Sequence, residues 1–139
     1  MKNIESGTIF WITGLSGSGK STIGEHLKTK LEKEYGKTII IHGDDIREIF
    51  QFKSYTKNKR LTLGKSYSDL CKLIAKQKVN VIFSTVGLFK ELFLYNRKNL
   101  QNYIEIYIKT NIQKLKKNKS KSFYKVKTNN VWGLDLKPE

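Results

Sequence analysis

Four short apolar runs, separated by stretches of helical spacing, set the outline of this chain. Residues 8–13 are almost wholly apolar, as expected of a strand buried on both faces of a parallel sheet. From Lys20 to about Glu34, Ile23, Leu27 and Leu31 share one helical stripe, and the helix is expected to end near Gly36. His26 lies beside that stripe as a partly exposed helical residue. Thr38 to Ile41 form a second strand and run straight into His42-Gly43-Asp44-Asp45-Ile46-Arg47, a turn that opens a short helix toward Phe52. Tyr55 to Gln77 contains a long helix with Leu63, Tyr67, Leu70, Cys71 and Ile74 at helical spacing, which makes Cys71 a packing residue. Val79 to Ser84 is a third buried strand, Leu92 to Leu100 a helix, and Tyr103 to Ile108 a fourth strand. The alternation of that fourth strand predicts one less-buried face. A helix from about Asn111 leads into a basic stretch. Strand and helix in alternation predict an α/β fold of three layers, with a mostly parallel sheet and helices on both faces.

Composition narrows the class. With 139 residues and 38% hydrophobic content, the chain is expected to be one domain, 1–139, with a proper core. Its mean hydropathy of -0.49 and the lack of a long apolar run argue against a membrane span or a signal peptide, so a cytoplasmic enzyme is the default. One cysteine excludes an internal disulfide, and two histidines beside it make no zinc-type cluster. Lys and Arg number 27 against 12 Asp and Glu, a net charge of +15. That balance favours polyanionic partners such as nucleotides, nucleic acids or anionic lipid, although low-GC coding also enriches lysine. The eight lysines between Lys109 and Lys127 read either as a solvated run or as a lid over phosphates, spanning about 109–130.

The chemistry centres on Gly14-Leu15-Ser16-Gly17-Ser18-Gly19-Lys20-Ser21-Thr22, which contains the phosphate-binding pattern G-x-x-x-x-G-K-[ST] between a strand and a helix. Glycines let successive N–H groups point into one concavity, and the helix adds its positive end. Lys20 is placed to reach the β/γ-phosphates of a nucleoside triphosphate, and the Ser21 hydroxyl to hold Mg²⁺. Asp44, Asp45 and Arg47 follow the second strand at the end where ligands of open α/β sheets collect. Two carboxylates there suit the metal and an attacking hydroxyl, while helix capping is the plainer reading for one of them. The third strand ends in Ser84-Thr85 without an aspartate, so a metal must lean on Ser21, Asp44 and water.

The segment Phe10 to Thr22 resembles the opening of adenylylsulfate (APS) kinases almost letter for letter. Gly43-Asp44-Asp45-Ile46-Arg47 is similar to the family's D-G-D-N-x-R, Tyr55 to Arg60 to its F-S-x-x-D-R, and Lys121-Ser122-Phe123-Tyr124 to its K-G-L-Y lid. The resemblance implies a P-loop kinase that moves the γ-phosphoryl of ATP, with Mg²⁺, to the ribose 3′-hydroxyl of a nucleotide. It gives Asp44 the acceptor hydroxyl and water-mediated Mg²⁺, Arg47, Arg60 and Arg97 the substrate phosphates, Asp45 a place in the substrate site, Tyr55 the base, and Lys121 a closing lid contact. Departures fall mainly in the acceptor pocket: His42 for the first aspartate, Leu63 for an asparagine, Gly87-Leu88 for Ser-Pro, and Phe93 for the first arginine of R-D-x-x-R. Ser84 to Arg97 and Asn102 to Tyr107 resemble a capsule-associated branch that includes cytidine diphosphoramidate kinases. The favoured acceptor is therefore cytidine diphosphoramidate, with adenylylsulfate as the alternative. Family members are commonly homodimers, and they continue with a longer lid and a further strand and helix. A rival class, a basic nucleic-acid-binding protein switched by ATP, lacks an aromatic-interleaved basic motif here. A GTPase would need an N-K-x-D signature that is missing.

Overall fold

The computed structural model describes residues 5–116. Their order is β1 (Ile9–Gly14), α1 (Lys20–Tyr35), β2 (Thr38–His42), α2 (Gly43–Ile49), α3 (Lys57–Ala75), β3 (Asn80–Thr85), α4 (Lys90–Asn99), β4 (Tyr103–Ile108) and α5 (Ile112–Lys116). The four strands form one parallel sheet in the order β2-β3-β1-β4. Each expected element is present within a few residues of its predicted bounds. The Lys121 lid contact and the remainder of the basic segment lie outside the described residues.

Period-two alternation divides the core in two. Ile9, Trp11, Val81 and Phe83 point to one face and pack with Tyr67, Cys71 and Ala75 of α3 and Leu92 of α4. Ile12 and Ile82 point to the other face and pack with Leu31 of α1, with Ile40 and Leu27 alongside. Both faces of the central strands are thus dry, which is why β1 and β3 read as continuous apolar runs.

Two packing expectations are corrected. Ile23 is 41% exposed, and the α1 stripe instead runs through buried Gly24, with Leu27 and Leu31. A Cβ at Gly24 would come within 2.8 Å of Ile40 Cδ1, so a side chain-free position is what lets the helix approach the sheet. In β4 the exposed residues are Ile104 and Tyr107, which lie on opposite faces. Among the described residues β4 is an edge strand of the sheet, so its exposure is not that of one solvated face.

Cys71 is fully buried, and burial pushes its thiol up to about 12. Because the thiolate is the reactive form, the native protein at pH 8 is expected to resist an aromatic disulfide reagent. One equivalent should react once denaturant is added; rapid reaction of the native protein would contradict this packing. Holding the thiol neutral adds stability that is complete below its ordinary pKa of about 8.5. That contribution is lost as the pH rises toward the folded value of about 12.

Candidate active site

The loop between β1 and α1 turns on its glycines. Gly17 and Gly19 have φ of 83° and 95°, and Gly19 is the left-handed residue that opens α1. Gly14 is held by proximity: a Cβ there would meet the Ile108 carbonyl oxygen and Ser18 Oγ, each at 2.8 Å. No acidic residue occupies the first turn of α1, so its positive end is uncompensated by a side chain. Lys20 Nζ donates to the carbonyls of Gly14 and Leu15, each at 3.0 Å, which holds the ammonium at the mouth of the loop.

A cavity of about 290 Å³ opens over this loop. Ser16, Gly17, Gly19, Lys20, Ser21 and Thr22 line it from the loop and α1. His42, Gly43 and Asp44 line it from the end of β2, and Ser84, Thr85 and Val86 from the end of β3. Parallel pairing brings these ends together, since His42 is in register with Ser84 and Thr13 with Thr85. Asp44 and Asp45 sit in the first turn of α2, where negative charge is favourable, and neither side chain caps the helix. Lys20 and Asp44 therefore face one cavity, and among the described residues Asp44 is the one acidic side chain lining it. Asp45 is exposed on α2 and takes no part in the lining.

A second cluster stands beside α2. The Arg47 guanidinium lies 4.2 Å from the centre of the Tyr55 ring and that of Arg60 at 4.8 Å, while Arg47 also donates to the Ser54 carbonyl at 2.6 Å. Tyr67, under the α2 entry, donates to the Gly43 carbonyl at 3.4 Å. Burial pushes its phenol up to about 12, with Arg47 opposing and Asp44 and Tyr55 adding to the shift. Helix α2 carries both Asp44, on the cavity, and Arg47, in the arginine–tyrosine cluster, and Tyr67 is hydrogen-bonded to its first residue. Arg97 is elsewhere. It makes a two-pronged ion pair with Glu105 at 2.7 Å for each contact, on the flank of α4 and β4.

The lining residues that carry side-chain oxygens are Ser16, Ser21, Thr22, Ser84 and Thr85, with hydroxyls, and Asp44, with a carboxylate. Such a hard, weakly charged set suits Mg²⁺ carried mainly by water and phosphate oxygens. Among the described residues no group of three His, Cys, Asp or Glu side chains could hold an ion by itself. Ser84 and Thr85 enter the sequence reading only as a strand end without an aspartate, and neither they nor Val86 are among its candidate site residues; their place at a strand's carboxyl end is the available signal.

The Adenylylsulphate kinase family model matches residues 6–135. The chain belongs to the adenylylsulphate kinase family. Within that family it is 38% identical to the cytidine diphosphoramidate kinase of Campylobacter jejuni, over 94% of this chain and 81% of the relative. It is 32% identical to a probable adenylyl-sulfate kinase of Aeropyrum pernix, over 89% of this chain and 70% of that protein. Among solved structures, a Mycobacterium tuberculosis APS kinase in complex with AMPPNP and APS superposes with a TM-score of 0.86, covering 96% of this chain and 83% of that one at 22% identity. At that identity the likeness speaks for the fold. As a member of the adenylylsulphate kinase family, the protein is an ATP-dependent phosphotransferase built on the P-loop fold.

Proposed function

We propose that this kinase transfers the γ-phosphoryl of Mg-ATP to the ribose 3′-hydroxyl of a nucleotide, with cytidine diphosphoramidate as the favoured acceptor in capsule phosphoramidate synthesis. The observation that carries the reading is the meeting of Lys20 and Asp44 at one cavity. The 38% identity to a cytidine diphosphoramidate kinase supports the choice of acceptor. The loop amides and Lys20 grip the β- and γ-phosphates, and Asp44 accepts the proton of the attacking hydroxyl. The new bond joins the ribose oxygen to the γ-phosphorus as the bond to the β–γ bridging oxygen breaks, releasing ADP. Ser21 directly, and Asp44 through water, would hold Mg²⁺, which when bound neutralises charge on the phosphate oxygens.

Arg47 and Arg60 take the acceptor's phosphate groups, for which the planar guanidinium is suited, and the Tyr55 ring takes the base. Arg97 could join them only by leaving Glu105, so the reading rests on the first two arginines. Lys121 keeps its lid role by resemblance alone. ATP as co-substrate goes with a cytoplasmic setting.

The test is ADP release with adenylylsulfate, cytidine diphosphoramidate, CDP and plain nucleosides as acceptors. The highest kcat/KM is expected with cytidine diphosphoramidate. A preference for adenylylsulfate would move the acceptor to the alternative suggested by the Aeropyrum pernix relative. No acceptor-dependent ADP release at all would overturn the reading.

A further inference from the structure

On the cavity wall, His42 is tied at both ring nitrogens. Its Nδ1 lies 2.7 Å from Ser84 Oγ, and its Nε2 lies 3.6 Å from Glu25 Oε1 of α1. His42 and Ser84 are register partners at the carboxyl ends of β2 and β3, on the sheet face that α1 covers. Ser84 is buried, with 4% of its surface exposed, yet it lines the cavity together with Lys20, Ser21 and Asp44. We propose that His42, biased by Glu25, is a positioning residue that fixes the Ser84 hydroxyl as a hydrogen-bond acceptor facing the ATP-associated cation and its water.

The argument is one of tautomers. With the proton on Nε2, the N–H dipole faces the Glu25 carboxylate and attraction favours the arrangement, although 3.6 Å is too long for a hydrogen bond. With the proton on Nδ1, a ring lone pair would face that carboxylate instead. The Nε2–H form leaves Nδ1 as an acceptor, so the Ser84 hydrogen is committed to the imidazole. Oxygen lone pairs are then all that Ser84 can offer the cavity. A water bound to Mg²⁺ is a strong donor and needs such an acceptor. β3 ends in Ser84 and Thr85, with no carboxylate on the cavity from that strand, and among the described residues Asp44 supplies the cavity's one acidic group. A hydroxyl whose hydrogen is already used is the neutral substitute.

This deepens the proposed function and rests on the cavity being the Mg-ATP site, but not on the identity of the acceptor. Two measurements test it. Nitrogen-15 spectra of histidine-labelled protein need resolve only His26 and His42, which His26→Gln tells apart. His42 is expected as the Nε2–H tautomer with a hydrogen-bonded Nδ1, and Ser84→Ala should shift the Nδ1 resonance alone. An Nδ1–H tautomer, or an imidazolium, would overturn the proposal.

Binding of a non-hydrolysable ATP analogue across a Mg²⁺ series is the second measurement. His42→Ala and Ser84→Ala should raise the Mg²⁺ concentration for half-saturation by about tenfold, the low end for supports behind a metal site. Affinity for the analogue without Mg²⁺ should stay unchanged, and His42→Asn, whose amide oxygen can replace Nδ1 as acceptor, should restore most of the loss. Wild-type Mg²⁺ dependence in His42→Ala, or equal loss in His42→Asn, would refute the positioning role. Neither measurement needs an acceptor, so failure of the whole acceptor panel would count against the function and not against this.

Discussion

Asp44→Asn is expected to lower kcat by about 10²–10⁴-fold, the range for loss of a positioned general base. The substitution keeps the size of the side chain and removes its charge and basicity. Asp44 is exposed in the first turn of α2 and makes no capping hydrogen bond, so the fold should lose no more than about 1 kcal/mol, the helix-end charge effect. Lys20→Ala belongs to the same prediction, because it removes the charge that meets the γ-phosphoryl as charge builds there. A loss of about 10²–10³-fold in kcat is the scale for one such electrostatic contact. Steady-state ADP release with a saturating acceptor, alongside a thermal melt, separates lost chemistry from lost folding. Full turnover of Asp44→Asn with any acceptor would remove its assigned part in the reaction.

Phe83→Ala is expected to cost about 3–5 kcal/mol of stability, as large aromatic truncations in a dry core do. Phe83 is fully buried on β3, with its ring stacked at 4.8 Å on Trp11 and at 4.9 Å against Tyr67. Neither neighbour can collapse into the void without moving β1 or α3. Against a typical total of about 5–15 kcal/mol, such a loss leaves a marginal protein. Because Ser84 and Thr85 follow directly, loosening β3 should also weaken nucleotide binding. Urea denaturation would show the drop in midpoint, and a change below about 1 kcal/mol would mean that this face is not the packed core.

Much of this was legible because the decisive signals are local. Buried strands announce themselves as apolar runs, and the loop at Gly14–Ser21 carries its pattern within eight consecutive positions. Asp44 could be placed at the loop's side from the strand-end rule alone. What sequence could not carry depends on register. Nothing in the linear order says that His42 and Ser84 are neighbours, which follows from parallel pairing across 42 positions. The same holds for Arg97: the family resemblance gave it a substrate contact, and the linear order could not show that strand β4 puts Glu105 within reach of its guanidinium. Ile23 was assigned to the helix stripe on periodicity, yet the sheet meets α1 at Gly24, one position on, where absence of bulk and not hydrophobicity decides the contact.

That contact at Gly24 also gears the phosphate cradle to the sheet. Helix α1 packs so closely on β1, β2 and β3 there that a Cβ at Gly24 would meet Ile12, Ile40 and Ile82 within 4 Å. The phosphate loop is thereby backed by tight packing against the sheet. Among the described residues, the room to admit an acceptor is to be sought in the mostly exposed stretch 50–56, where Gln51 sits at a φ of 56° and Phe50 and Phe52 stack on each other in contact with solvent.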